Sequence, residues 1–338
     1  MRIAVVRNRN REGVLFRFGQ PSPETYGRRS IQGIVDALQN GGHEVEIFEG
    51  DMHLPGHLRS FIPVHPDHGT PMGIVFNLSY GMQGECRYTH VASLLEMLGV
   101  PYTGAGPLGQ TLSLDKVISK TLLRQAGLPT PDFTVGNGMA SDPGGIEYPL
   151  IVKPRHESTS YGLSLVHNRR ELDLAVAEVV GHYRQDALIE RYIPGRELSV
   201  SILGNHPPVC LPIVEVDFAG RHLRTLTRED KFHKRPDEPV KLCPAPLDPD
   251  LEMEVQRISL AAAAVCHCRD YANVDIRIDG EGRPQILEVN SMPSLGPGAS
   301  FTCSGRHAGF TMTAMLCRIV DSACERTFGT PVVSQVSN

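Results

Sequence analysis

The stretch "NVDIRIDGEGRPQILEVN" (residues 273–290) decides how this chain is read. Folded as a hairpin around Gly280–Arg283 with Asp275 opposite Glu288, it sets Val274 against Val289, Ile276 against Leu287 and Asn273 against Asn290. Apolar meets apolar and polar meets polar. A one-residue slip destroys both matches, because side chains alternate between faces of a strand. Asp275, Glu288 and Asn290 therefore share one face. Two carboxylates about 5 Å apart repel by about 3 kcal/mol at an effective dielectric near 20, so a positive group belongs between them. Three oxygen-bearing side chains suit a hard divalent cation such as Mg²⁺, held by few protein groups together with phosphates. Arg277, on the same face, is the competing source of positive charge. The loop that follows, "SMPSLGPGAS" (291–300), is rich in Pro and Gly and cannot continue the strand.

A metal with few protein ligands calls for phosphate-binding residues elsewhere. In "LIVKP" Lys153 ends an apolar strand, and the hydroxyl-rich "RHESTSYG" (155–162) follows with a glycine. Such a loop can offer N–H and O–H donors to phosphoryl oxygens, with Lys153 as a point charge; a solvated hairpin turn with a surface lysine has the same composition. The GxxxxGK[ST] pattern of a Walker loop is absent. "ALIERYIPGRE" (187–197) passes from an apolar run to alternation, as in an edge strand that offers backbone groups to a purine and an acid to a ribose.

The chain has 338 residues, enough for two or three domains of roughly 100–200 residues each. Apolar residues make up 41% and charged residues 21%, with a net charge of −5, so nothing electrostatic recommends nucleic acid or an anionic membrane as a partner. "MRIAVVRNRN" has too short an apolar run for a signal peptide, and no segment approaches ~18–20 consecutive apolar residues; a cytoplasmic location is expected. The eight cysteines include no CxxC. "CHC" (266–268) falls in a helical pattern, where residues two apart diverge, so buried reduced thiols are expected there.

"RIAVV" (2–6), a helix stripe of Ile31, Ile34, Val35 and Leu38, "EVEIFE" (44–49) and "GIVFNLS" (73–79) predict an open α/β unit. A helix over 89–99 closes at Gly99, and "PYTGAGPLG" reads as a turn-rich connection. "SLDKVISKTLLRQAGLPTP" (113–131) predicts a capped helix with Val117, Leu122 and Leu123 inside. Strand–loop–strand over 148–166, a helix, and two strands around Pro194–Gly195 follow. A helix over about 250–268, the hairpin and a final helix over about 306–325 complete the chain, before a frayed tail at 329–338.

Taken in order, "GVPYTGAGPLGQTLSLDKVISKTLLRQAGLPTP" (99–131), "YPLIVKPRHESTSYGLSLV" (148–166), "ALIERYIPGREL", "EDKFHK" with "KLCPAPL", and "VDIRIDGEGRPQILEVNSMP" resemble the ATP-grasp superfamily and, within it, the D-alanine–D-alanine ligase group. The resemblance spans about residues 73–325. It implies an α/β chain with α+β lobes: an N-terminal open α/β (pre-ATP-grasp) domain at 1–110, a central ATP-grasp lobe at 111–195 and a C-terminal lobe with the metal site at 196–330. ATP would lie between the last two. Carried over by position, Lys116 and Lys153 contact phosphates; Glu190, Arg191 and Ile193 contact adenine, and Glu197 the ribose. Lys231 reaches the γ-phosphate, and Ser158, Thr159, Ser160 and Gly162 close over the phosphates. Asp275, Glu288 and Asn290 hold Mg²⁺, two ions in the family, with Mn²⁺ as a substitute. The implied chemistry is an acyl phosphate formed from a substrate carboxylate and captured by an amine, with Lys231, Ser160, Asn273 and Arg277 as candidate catalytic positions. The implied partners are amino-acid-like small molecules and a second copy of the chain in a homodimer.

The substrate side departs from the family pattern. Glu24 is a loose candidate for the glutamate that holds the first amino acid. "LSYGMQGE" keeps Glu85 but has Tyr80–Gly81 where the family has His-Gly. The arginine expected two residues before the first metal aspartate is Asn273, with Arg277 as a substitute from the other side. The family's Pro-Gly after the last metal ligand is Pro293–Ser294, which makes Ser294 and Ser300 candidate substrate contacts. These departures predict a ligase with altered substrates, with authentic D-alanine–D-alanine ligase as the alternative and a non-catalytic nucleotide-binding module as a second one.

Overall fold

The structure is a computed structural model that describes residues 1–16, 24–138, 143–218 and 239–329. Lys231 and the tail at 330–338 lie outside the described residues. The run Ile3–Val6 is wholly buried because β1 (Arg2–Arg7) is the centre of a parallel three-stranded sheet, between β2 (Glu44–Glu49) and β3 (Gly73–Asn77). Helix α1 (Arg28–Asn40) lays Ile31, Ile34 and Leu38 over Ile3 and Val5. Helices α2 (Leu54–Phe61) and α3 (Thr89–Leu98) cover the opposite face through Leu58, Val91 and Leu95. The turn-rich connection contains a further helix, α4 (Pro107–Leu114).

Helix α5 (Lys116–Gln125) starts where Asp115 accepts from the N–H groups of Val117 and Ile118, both at 3.0 Å. The same carboxylate takes two bonds from the Arg155 guanidinium, at 2.8 and 2.7 Å, and one from His156 at 3.2 Å. Partial burial alone raises the Asp115 carboxyl, but the bonds from His156 and Arg155 hold it well below the usual range. Asp115→Ala is expected to cost about 2–4 kcal/mol, a lost cap plus lost charge-assisted bonds, measured by urea unfolding. The inward face of α5 differs from the expected one: Lys116, Ser119, Lys120 and Leu123 are buried, whereas Val117 and Leu122 are only half-buried.

The second sheet is antiparallel, with β4 (Phe133–Gly136), β7 (Ala187–Arg191), β5 (Leu150–Pro154) and β6 (Ser164–Val166) in that spatial order. Leu150, Val152, Ala187 and Ile189 pack on Leu172 and Val176 of α6 (Arg169–Glu178). The two strands around Pro194–Gly195 enter different sheets: β7 ends the second, and β8 (Arg196–Leu203) begins the third. Only glycine fits between them, since a Cβ at Gly195 would lie 1.9 Å from the Ile278 carbonyl oxygen.

In the third sheet β8 lies between β10 (Val214–Asp217) and β12 (Tyr271–Ile278), also pairing with the short β9 (Val209–Cys210). The edges are β11 (Val240–Leu242) and β13 (Pro284–Asn290). Val200, Val274, Ile276, Ile286 and Val289 pack on Val255, Ile258 and Ala262 of α7 (Pro249–Val265). Asp275 faces Glu288, Val274 faces Val289 and Asn273 faces Asn290, as the alternation predicts; Ile276, however, faces Ile286 and not Leu287. A bulge between Asp275 and Ile276 shifts the register by one. It lets Ile286 and Val289, three apart, both enter the core, and turns Leu287 onto the cleft side with Glu288.

The single helix expected at the end is two, α8 (Ser300–His307) and α9 (Met312–Phe328), separated by Gly309 at φ +87°. Helix α9 returns to the start of the chain: Leu316, Ile319 and Val320 share one core with Ile31, Ile34 and Leu38. Among the described residues no helix is long and apolar enough to cross a membrane.

Candidate functional site

A cleft of about 960 Å³ is lined by the polar faces of the second and third sheets, by the start of α5, and by the loops carrying Glu24, Tyr88 and Ser294. Pairing explains the polar faces. In the second sheet Ile151 faces Glu190 and Lys153 faces Leu188, so Lys153 and Glu190 are diagonal neighbours on the face turned away from α6. In the third, Asn273, Asp275 and Arg277 face Ser201, Ser199 and Glu197 on the side turned away from α7.

Five charged side chains, Lys120, Glu190, Lys153, Glu288 and Lys116, form a largely buried chain of contacts. The Glu190 carboxylate lies 2.9 Å from Lys120 Nζ and 2.5 Å from Lys153 Nζ. Burial raises its pKa, but the two ammonium groups hold it at about 2. Burial lowers Lys120 to about 8 despite Glu190 beside it. For Lys153 burial also acts downward, but Glu190 and Glu288 outweigh it and leave the ammonium above its ordinary value. Lys116 donates to the Glu157 carbonyl and stands 3.5 Å from Glu288; burial is the main cause that lowers its pKa. Lys116, Lys153 and Glu288 thus meet at one point of the cleft. The positive neighbour of Glu288 is Lys116, while Arg277 is engaged by Glu197, at 2.7 Å, and by the Ile193 carbonyl, at 2.8 Å. Arg277, expected to replace charge at the reacting centre, is a buried member of the Ile193–Glu197 end.

Asp275 is the hub of the opposite wall. Its Oδ1 accepts from Ser199 Oγ at 2.9 Å and from Asn273 Nδ2 at 2.8 Å, and its Oδ2 accepts from Asn290 Nδ2 at 3.1 Å. Asn273 also donates to Ser199 Oγ, at 2.8 Å, and accepts from Ser201 Oγ, at 3.1 Å. The set Asp275, Glu288 and Asn290 is all oxygen on the ligating side and bears two negative charges, which fits a hard cation of the Mg²⁺ kind. Asn273 orients Asp275 without adding charge. Asn273→Ala is expected to weaken the affinity of this set for Mg²⁺ about 10–100-fold, measured by titration with the metal.

At the far end Glu24 accepts from Ser158 Oγ and from Tyr88 Oη, with Arg87 at 3.7 Å. Arg87 also pairs with Glu157, at 3.1 Å. Tyr80 lies beside both Tyr88 and Tyr26, with ring centroids 5.4 and 5.8 Å away, and burial pushes the Tyr80 and Tyr88 phenols well above their ordinary values. In the adjoining loop Thr159 and Ser160 have φ of +55° and +58°, a conformation that costs about 1–2 kcal/mol for each non-glycine residue. Gly162, at φ +73°, is obligatory: a Cβ there would lie 2.7 Å from Pro154 Cγ and 2.8 Å from Tyr183 Cζ.

Ser158, Thr159, Ser160, Arg191, Ile193, Glu197, Ser294 and Ser300 all line the cleft. Glu190, expected against adenine, is found as the counter-ion of two lysines. Glu85 is exposed and away from the cleft; Tyr88 lines the wall instead, with Arg87 buried beside Glu24 and Glu157. Lys120, Arg87 and Glu157 were not legible as site residues. The one available signal for Lys120 was its spacing of four from Lys116, which puts both on one side of a helix.

The profile of the family described as "D-ala D-ala ligase C-terminus" matches residues 122–321. An uncharacterised protein of Sinorhizobium fredii, y4sG, is 44% identical over 337 residues, covering 98% of this chain and 100% of that protein. The D-alanine–D-alanine ligase of Bordetella pertussis is 30% identical over 324 residues, 93% of this chain and 95% of its own. The crystal structure of D-alanine–D-alanine ligase from Bacillus anthracis complexed with ATP is similar with a TM-score of 0.75 at 25% identity, over 97% of this chain and 99% of that one.

Proposed function

The chain belongs to the D-alanine–D-alanine ligase family, and on that premise we propose that it joins two molecules of D-alanine. It is an ATP-dependent ligase of the ATP-grasp type that forms an amide bond. That membership sets aside a module without catalysis. The relatives' names also favour D-alanine over the altered substrates that the departures alone predict.

The observation that carries the substrate reading is Glu24. A carboxylate fixed by Tyr88 and Ser158 in the same cleft as the lysines suits the ammonium of an amino acid whose carboxylate points toward them. In the proposed reaction that carboxylate attacks the γ-phosphorus of ATP, ADP leaves, and an acyl phosphate forms. The amine of the second amino acid then attacks the acyl carbon, loses a proton, and expels phosphate. Lys116 and Lys153 oppose the charge on the transferring oxygens. Asp275, Glu288 and Asn290 would hold Mg²⁺, which supplies Lewis-acid neutralisation of phosphoryl charge when bound. Ile193, Glu197 and Arg277 take the nucleoside end. The loop over Ser158–Gly162 shields the acyl phosphate from water.

A second reading rests on Asn273. Its carboxamide is neutral and fully engaged by Ser199, Ser201 and Asp275, so it adds no positive charge where the family pattern has an arginine. That supports a different pair of amino acids. Phosphate release from ATP, with the product weighed by mass spectrometry, separates the two. Turnover with D-alanine alone is expected. Turnover only with another pair would transfer the assignment to the second reading. With the active substrate, Glu24→Gln is expected to raise KM for the amino acid about 100-fold, from a lost charge-assisted contact, and to leave KM for ATP within about threefold.

A further inference from the structure

Two of the eight cysteines, scattered along the sequence, meet a histidine in space. Cys303 and His307 are four apart in α8, on one side of the helix, and Cys303 Sγ lies 3.9 Å from His307 Nδ1. Cys243, just after β11, completes the group: one ligand atom from each of the three lies within 4.8 Å of the others. Among the described residues no other group of three or more His, Cys, Asp or Glu side chains comes this close. A tetrahedral ion about 2.3 Å from each sulfur and about 2.0 Å from nitrogen sets its ligand atoms roughly 3.5–3.8 Å apart. The observed group is wider by roughly 1 Å at most, within the range of side-chain torsions.

We propose that Cys243, Cys303 and His307 form a second metal site, for a borderline-soft divalent cation of the zinc class, with a fourth position open to solvent. The donor set separates it from the hairpin site. Two sulfurs and an imidazole select zinc-like ions, whereas the oxygens of Asp275, Glu288 and Asn290 select Mg²⁺. Access is available, since Cys243 and Cys303 are half-buried and His307 is exposed. Burial, with Cys303 beside it, pushes the Cys243 thiol up to about 12. A thiol raised this far is protonated at neutral pH, and an ion would displace its proton on binding. Cys243 Sγ rests 3.7 Å from the Pro212 carbonyl and His307 Nδ1 lies 3.0 Å from the Cys303 carbonyl, contacts that an ion would replace. Because Cys303 lines the cleft beside Ser300 and Arg306, a bound ion ties the α8 wall of the cleft to the chain leaving β11.

Co²⁺ titrated into the reduced full-length protein reads this directly and does not depend on ligase activity. One equivalent is expected to give a sulfur-to-cobalt charge-transfer band and the strong visible absorption of tetrahedral Co²⁺, abolished by one equivalent of Zn²⁺ and unchanged by excess Mg²⁺. Cys243→Ser and Cys303→Ser should each remove the charge-transfer intensity or halve it, with helix content unchanged by circular dichroism. His307→Ala, at an exposed position that folding does not need, should weaken binding at least about tenfold. Absence of a thiolate band in the wild type, or an undiminished band with unchanged affinity in His307→Ala, overturns the proposal.

Discussion

Glu288→Gln is expected to lower kcat by about 10³-fold, ~4 kcal/mol of transition-state stabilisation, while the chain stays folded. The reason lies in what the hairpin places together. Glu288 faces Asp275 across the strand pair, and Lys116 stands 3.5 Å from it. In the proposed reaction the Glu288 carboxylate both holds the cation and balances the lysines that approach the phosphates. Glutamine keeps the shape and removes the charge, so the loss falls on the step in which negative charge moves. Stability should fall by about 1–3 kcal/mol: the buried Lys116 loses its ion-pair partner, while the repulsion between Glu288 and Asp275 is relieved at the same time. Phosphate release and thermal unfolding, measured on the same preparation, test both halves. A variant that keeps a tenth of its activity removes Glu288 from the metal-binding set.

The largest effect on stability is expected from Glu190→Gln, about 3–5 kcal/mol. Glu190 is the shared counter-ion of Lys120, wholly buried, and Lys153. The substitution removes the carboxylate that both ammonium groups share, leaving the buried Lys120 with the Thr130 hydroxyl and the Ile286 carbonyl, and Lys153 with the charge of Glu288. Unfolding in urea measures the loss, and a change below about 1 kcal/mol would show that water reaches these lysines. Adding Lys120→Met should recover much of it, because one uncompensated charge goes and Met fills the space of the lysine stem. A pH signature follows. Glu190 titrates at about 2 in the folded protein, below its ordinary 4.5. Its contribution is therefore fully present above about pH 4.5 and is lost as pH falls toward 2. The variant's melting temperature should fall less steeply than the wild type's across that window.

What sequence reading could and could not reach follows from the same physics. The facing of Asp275 and Glu288 was legible because apolar and polar residues alternate on both strands, and only one register satisfies them. The bulge was not, because Ile286 and Leu287 are both apolar and alternation cannot say which of two neighbours enters the core. Lys153 was legible at the end of an apolar strand. Lys120 was not, because a lysine on an amphipathic helix reads as solvent-facing until its partner is known, and Glu190 is distant in sequence. Glu24 was a loose candidate for a similar reason: a single carboxylate in a polar loop acquires meaning only when Ser158 and Tyr88 arrive beside it. The joining of α9 to α1 was invisible, since two amphipathic stripes do not disclose which apolar surface each will cover.

That last contact has a consequence for how the chain is made. The first strands and α1 leave the ribosome early, yet the apolar surface formed by Ile31, Ile34 and Leu38 is completed only by Leu316, Ile319 and Val320. A unit made early is thus finished late. During translation the part of that surface not covered by the sheet has to be tolerated or shielded until the last helix emerges, and a product that stops before residue 312 would leave that part open to solvent.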